Sequence, residues 1–494
     1  MKNKRIWIAV AATLLLVAHA GCGDAGYGGG YGGEFGATQG GVQDMGLARA
    51  LIDEGQVPPS AAFPVEGMFS EHDLPVDGAP CAGMLCVRTA TGIAPDLEGT
   101  ERAWLQLGLS STINPDTYER PSLSIVATVD ISGSMGWNYG PERDTPASLS
   151  LDLLRRIAAE LGPDDRFSIV TYGSSVNTRF EPRAATDQAE IQRAIDSLGE
   201  GGSTNMEAGL RRAFSVADDE LGQADEVRVL LFTDVQPNVG ATSASEFGTM
   251  TAAAADNGVG LTVFGTGVGL GQELMNAMAH LRRGNAFSVM ESSDVPDLME
   301  ESWPWMASPI AFDLHVDVTP SEATEVRAGY GFPGPSADGA STLDAATVFL
   351  SRRRGALLIE LATESTDAAD IPIEQAGAQV RLSYERVDGT PVEQILGVGW
   401  ASMEIDERGH GYQQASTGRT VALALMVTGM RLAAESYEDG NEAAAIEQMA
   451  SVLARIEADA AALADPALTA EVELARELSR LIESGAPQGS LYGR

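Results

Sequence analysis

Asp130, Ser132 and Ser134 alternate in the segment Asp130-Ile131-Ser132-Gly133-Ser134, which places one carboxylate and two hydroxyls on a single short turn. Oxygen donors of that kind suit a hard divalent cation. Mg²⁺ takes about six oxygens in near-octahedral order at about 2.0–2.1 Å and gives up water reluctantly, so a few protein oxygens suffice. Two further segments could complete the set: the loop Gly201-Gly202-Ser203-Thr204-Asn205, and Thr233-Asp234 at the end of the apolar run Val227 to Phe232. Asp, Ser and Gly are also ordinary turn formers, so D-x-S-x-S alone is equally consistent with a polar turn. Three segments in this chain order, each at the end of a strand or the start of a helix, favour the metal.

The elements that must position these oxygens are legible as well. Ser124 to Val129 is apolar without alternation, the pattern of a parallel strand covered on both faces. Open α/β sheets hold their ligands just beyond the carboxyl ends of such strands, which is where Asp130 and Asp234 fall. With these residues in place, the chain resembles a von Willebrand factor type A (VWA) domain, whose metal-ion-dependent adhesion site runs D-x-S-x-S, then Thr, then Asp. All five positions match. The resemblance implies that Ser132, Ser134 and Thr204 coordinate directly and that Asp130 and Asp234 act directly or through water. It also implies Mg²⁺ or Mn²⁺, with Ca²⁺ compatible, and a protein ligand that donates a Glu or Asp carboxylate.

The expected fold class is α/β: a Rossmann-like, doubly wound, mainly parallel sheet, flanked by an antiparallel β module and a C-terminal helical region. Apolar strands at Leu123 to Val129, Phe167 to Thr171, Val227 to Phe232 and Leu261 to Gly265 alternate with helical stretches at Leu149 to Leu161, Glu190 to Leu198 and Glu207 to Ala217. Ala286 to Met290 is expected to close the sheet edge. The α/β domain spans 121–307. Beyond it, Phe312, Leu314, Val316 and Val318 alternate with polar residues, as do Val380, Leu382 and Tyr384 before an Asp388-Gly389 turn, so 308–410 reads as a β-sandwich-like module. Ala103, Leu105, Leu107 and Leu109 alternate similarly within an N-terminal module at 46–120, and strands from both flanks are expected to share one sheet. Residues 411–486 read as packed helices, with Ile446, Met449, Leu453 and Ile456 on one face.

Lys2, Lys4 and Arg5 precede the apolar run Ile6 to Ala18, a signal peptide over 1–21 rather than a spanning helix. Ala20-Gly21-Cys22 resembles a bacterial lipoprotein cleavage site, which implies lipidation of Cys22, although His19 departs from the usual pattern. Residues 22–45, rich in Gly and Tyr, read as a tether. Leu47 to Phe69, with Arg49-Ala50-Leu51-Ile52-Asp53-Glu54-Gly55-Gln56-Val57-Pro58-Pro59, resembles the N-terminal module of a bacterial family of secreted VWA lipoproteins. Together these imply a lipid anchor in the cell envelope, facing the periplasm or the cell surface. Cys81 and Cys86 remain as a pair in a compartment that permits oxidation, and a disulfide is the favoured reading.

Composition narrows the partners. With 494 residues and a formal charge of −38, the chain is poorly suited to nucleic acid or anionic lipid. After Lys4 every basic residue is arginine. There is no G-x-S-x-G, H-E-x-x-H or phosphate-loop motif, and Gly265 to Gly271 lacks the last glycine of a dinucleotide loop, so no small-molecule cofactor is expected. His280 reads as packed in an apolar helix. The leading expectation is a tethered, non-enzymatic binding protein. A metal-dependent hydrolase and an envelope scaffold with a structural metal are the alternatives. Trp137 and Tyr139, just after Ser134, are candidate partner contacts, with packing of Trp137 on its own domain as the competing possibility.

Overall fold

The computed structural model describes residues 35–489 apart from 82, 115–116, 138–143, 200, 304, 322–323, 334–340, 364–376 and 401–402. The signal segment 1–21, Cys22 and Tyr139 therefore lie outside the described residues. The N-terminal part carries β1 (Phe35–Gln39), β2 (Gly41–Val42), α1 (Gly46–Asp53), α2 (Val65–Glu71), β3 (Leu85–Pro95) and β4 (Glu101–Ser111). The α/β domain follows with β5 (Leu123–Asp130), α3 (Pro146–Ala159), β6 (Arg166–Tyr172), β7 (Val176–Ala184), α4 (Gln188–Asp196), α5 (Met206–Glu220), β8 (Glu226–Thr233), α6 (Ala244–Asp256), β9 (Val259–Thr266), α7 (Gln272–Ala279), β10 (Gly284–Val289) and α8 (Asp294–Glu301). Strands β11 (Pro309–Pro320), β12 (Thr324–Tyr330), β13 (Thr342–Ser351), β14 (Gly355–Thr363), β15 (Gly377–Arg386), β16 (Pro391–Gly399) and β17 (Gly411–Tyr412) precede α9 (Ala415–Glu438), α10 (Glu442–Leu463) and α11 (Pro466–Glu483).

The α/β sheet runs β2-β10-β9-β8-β5-β6-β7, all parallel except β7. Every residue of β5, β8 and β9 is buried, as strands covered on both faces must be. Ile125 and Ala127 pack with Leu149, Leu153 and Ile157 of α3 on one face, whereas Val126, Val229 and Leu231 pack with Met206, Leu210 and Phe247 on the other. The sheet is thus doubly wound. Two edge features differ from expectation. The polar hairpin strand β7 adds one edge, and β10 is not the other edge, because Gly41 and Val42 pair parallel with Asn285 and Ala286 beyond it.

The flanking strands form one antiparallel sheet of ten. β4 pairs with β14 from Ala103↔Leu361 to Leu109↔Gly355, so strands of 46–120 and 308–410 share one sheet, as expected, and the α/β domain emerges from that β unit. Leu105, Leu107 and Ile359 share a core with Leu314, Val316 and Val380 from the other half. Arginine joins this unit to the α/β domain: buried Arg228 lies over the Phe349 ring at 5.3 Å, and Arg283 over Phe312 at 4.4 Å. Cys81 and Cys86 form a disulfide with Cα atoms 5.6 Å apart. On α10 the buried stripe is Ala445, Met449, Val452 and Ile456, whereas Ile446 is 38% exposed. Met449 and Ile456 are buried as expected, whereas Ala445 and Val452 take the places expected of Ile446 and Leu453, with Val452 packed where a Cβ on Gly429 of α9 would lie 2.2 Å from it.

The tether expectation over 22–45 fails from Phe35 onward. β1 pairs with Ser110 and Ser111 of β4 on one side and with Val348 to Ser351 of β13 on the other, and among the described residues it is the strand that joins the two halves of the sheet. Its continuation β2 then extends the α/β sheet. Glycine serves contact here rather than freedom: a Cβ on Gly36 would sit 1.9 Å from the Arg353 carbonyl oxygen. Gly36→Val is therefore expected to cost about 1–3 kcal/mol. Calorimetric melting should show a lowered midpoint, whereas Gly248→Ala, in open space on α6, should be neutral or stabilising.

Candidate metal centre

β5 and β8 are adjacent and parallel, with Val129 opposite Phe232, so the residues that follow end side by side. Asp130 is the last residue of β5 and is 1% exposed. One of its oxygens accepts the Ser132 backbone N–H at 2.8 Å and the other accepts the Thr233 hydroxyl at 2.9 Å. These two bonds fix the carboxylate while leaving lone pairs free. The chain then turns into a single helical turn, Gly133–Gly136, that brings the hydroxyls of Ser132 and Ser134 to 3.2 Å from each other.

Thr204 arrives from the second segment. Gly201 N–H donates to the Ile131 carbonyl at 2.7 Å, and Gly133 N–H donates to the Gly202 carbonyl at 3.0 Å, which seats this loop against the first. Gly202 has φ of 104°, and a Cβ there would lie 2.4 Å from Ser174 Oγ, so glycine is required. Asn205 caps α5 by accepting the Ala208 N–H at 3.1 Å and so anchors the neighbouring Thr204, which is 1% exposed. Thr204 N–H donates to Asn238 Oδ1 at 2.9 Å, and the Thr204 carbonyl accepts from the backbones of Asn238 and Val239 at 3.1 and 3.2 Å.

Asp234 is wholly buried. Oδ1 accepts Gln236 N–H at 3.3 Å, while Oδ2 has no hydrogen-bond partner. Val235 next to it adopts φ of 54°, a left-handed conformation that a β-branched residue rarely takes and that marks stored strain beside Asp234. Burial, followed by repulsion from Asp130, pushes the Asp234 carboxyl up to about 7, and burial also raises Asp130. Two desolvated carboxylates beside three hydroxyls are a donor set for a hard divalent cation, and the orphaned Oδ2 is the atom such a cation would satisfy. Among the described residues no His, Cys, Asp and Glu cluster offers a softer alternative.

All five expected residues thus gather at one end of the α/β sheet. Thr233 and Asn238 were not singled out in the sequence; Thr233 precedes Asp234 directly, but Asn238 gave no local signal. Trp137 is 48% exposed. His280, read as packed, instead meets Glu66 at 2.8 Å.

Comparison with known proteins agrees with this fold. Residues 125–236 match the von Willebrand factor type A domain. The uncharacterized protein YfbK of Escherichia coli (strain K12) is 28% identical over 287 residues, covering 56% of this chain and 49% of its own. Inter-alpha-trypsin inhibitor heavy chain H2 of Mus musculus is 22% identical over 220 residues, covering 43% of this chain and 22% of its own. This chain therefore spans less than half of either relative. The structure of a von Willebrand factor type A protein from Catenulispora acidiphila overlaps 82% of this chain and 98% of its own, with TM-score 0.51 at 13% identity, a likeness of fold.

A carboxyl whose folded pKa is raised keeps a proton that the unfolded chain has lost, so without metal the fold is progressively penalised as pH rises from about 4 to about 7. Cation binding must displace that proton. Titration of Mg²⁺ or Mn²⁺ into the protein, in buffers of different ionisation heat, should show proton release at pH 6 that fades by pH 8. Affinity should fall about tenfold per pH unit below 7. Affinity that does not change with pH would contradict the assignment.

Proposed function

We propose that the von Willebrand factor type A domain of this chain is a non-enzymatic module that binds an acidic protein ligand through Asp130, Ser132, Ser134, Thr204 and Asp234, with Mg²⁺ or Mn²⁺ held among them. The observation that carries the reading is the buried, unpartnered Oδ2 of Asp234. When bound, a divalent cation supplies an electron-poor centre that a partner's Glu or Asp carboxylate can reach. The residues of the chain make that centre electron-poor and accessible. Three of the five donors are neutral hydroxyls, and Asp130 is engaged by Ser132 and Thr233, so little negative charge is spent on the ion. Ser134 is half-buried and leaves the outer side open.

The non-enzymatic reading is supported by the surroundings. The loops 131–137, 201–205 and 235–240 contain no His, Cys or Lys that could serve as a general base or nucleophile. The hydrolase and scaffold alternatives remain distinct in what they require. Placement at a cell envelope, through a lipid on Cys22, rests on the basic and apolar start of the chain and on Ala20-Gly21-Cys22. Among the described residues no helix is long and apolar enough to cross a membrane.

Crosslinking pull-down from intact cells, with Mg²⁺ and with EDTA, tests the proposal. Capture is expected in Mg²⁺, with a loss of at least about tenfold in EDTA or with Asp130→Ala. Asp130→Ala should retain its melting midpoint, because it removes one of two repelling buried carboxylates. Unfolding of that variant would favour the structural-metal scaffold, and turnover of ester or phosphodiester substrates would favour the hydrolase.

A further inference from the structure

The segments next to the five donors are free of charge, although the Asp130 loop continues to Glu142, Arg143 and Asp144 before α3, and Glu207 accepts the Ala241 N–H beside the Asp234 loop. Segments 131–137, 173–175, 201–205, 235–240 and 267–271 contain no Lys, Arg, Asp or Glu. What they offer instead is hydroxyl, amide and two exposed apolar side chains, Trp137 at 48% and Val239 at 41% exposure. Large apolar side chains this exposed are few among the described residues, and two of them stand at this one rim.

Both are fixed to the donor segments rather than to distant surface. Trp137 N–H donates to the Ser134 carbonyl at 2.9 Å, so the indole stands three residues beyond a donor hydroxyl. Val239 N–H donates to the Thr204 carbonyl at 3.2 Å, and its neighbour Asn238 holds Thr204 from a second direction. The two apolar groups therefore rise from two different donor-bearing segments. A ligand residue whose carboxylate reaches the donors brings its chain neighbours towards these two loops, where Trp137 and Val239 are the exposed apolar groups. Rigid aromatic anchors are where binding energy concentrates at interfaces.

Charge decides the remaining question. The chain carries a formal −38, so a run of acidic residues meets net repulsion, and the segments 131–137, 201–205 and 235–240 next to the donors hold no basic residue to offset it. A single carboxylate with apolar neighbours meets the centre without that penalty and removes Trp137 and Val239 from water. We infer that the ligand presents a lone Glu or Asp set among apolar side chains, and that Trp137 and Val239 select it by burying the residues on either side. This rests on the metal-dependent binding proposed above and specifies its ligand.

Three synthetic nine-residue peptides with a central Glu, flanked by Leu and Phe, by Ser, or by Asp, provide the probes, titrated in Mg²⁺ and followed by calorimetry and by acrylamide quenching of tryptophan. Trp104 and Trp400 are fully buried, Trp303 nearly so and Trp305 partly, so protection of Trp137 is read as the difference between the wild type and Trp137→Ala. The apolar-flanked peptide should bind roughly tenfold more tightly than the other two and should protect Trp137. Trp137→Ala and Val239→Ser should each erode that preference while leaving Mg²⁺ uptake and the melting midpoint unchanged. Equal binding of the three peptides, a preference that survives in both variants, or no binding of the apolar-flanked peptide at millimolar concentration with metal bound would overturn the inference. Failure of the protein to take up Mg²⁺ at all would instead overturn the metal-dependent binding itself.

Discussion

Two carboxylates, Asp130 and Asp234, are held out of water beside each other at the end of a parallel sheet, and nothing among the described residues neutralises both. Burial and mutual repulsion each oppose their ionisation. Ser132 N–H, the Thr233 hydroxyl and Gln236 N–H compensate part of that cost, but Asp234 Oδ2 is left over. Such an arrangement persists in a stable fold only where something else completes it, and an oxygen-rich set with two negative charges fits a divalent cation. The strained Val235 and the glycine requirement at Gly202 fall on the same loops, as expected where backbone geometry is spent on placing a site.

The rest of the molecule holds these loops in register. Because β5 and β8 are parallel neighbours, their carboxyl ends coincide without any special device. The α/β domain is in turn seated on the β unit by buried and half-buried arginines over Phe349 and Phe312, and by the segment Phe35–Val42, which belongs to both sheets. Arginine suits these junctions: Arg282 reaches Asp313 of β11 and Glu385 of β15 through two different guanidinium nitrogens, a geometry that the ammonium of lysine does not provide.

Much of this was legible in the sequence, for a physical reason. Strands covered on both faces must be apolar throughout, so β5, β8 and β9 announce themselves, and the polar residues that end them stand out as ligands. The antiparallel strands were legible through alternation at Phe312 to Val318 and Val380 to Tyr384. What escaped depends on contacts distant in sequence. Phe35–Val42 has glycines that read as freedom but serve close approach to Arg353 and to β10. Asn238 matters because it folds back on Thr204, a contact between residues 34 apart. Helices α6 and α8 were not singled out: α6 is alanine-rich and carries little amphipathic signal, and α8 is only eight residues long.

The most direct measurement is anomalous diffraction from crystals grown with Mn²⁺. A single peak among the Ser132, Ser134 and Thr204 hydroxyls, within about 2.4 Å of protein oxygens and close to Asp234 Oδ2, is the expected result. Crystals saturated with Mn²⁺ that show no density there, or whose only peaks lie on the acidic surface, would contradict the account.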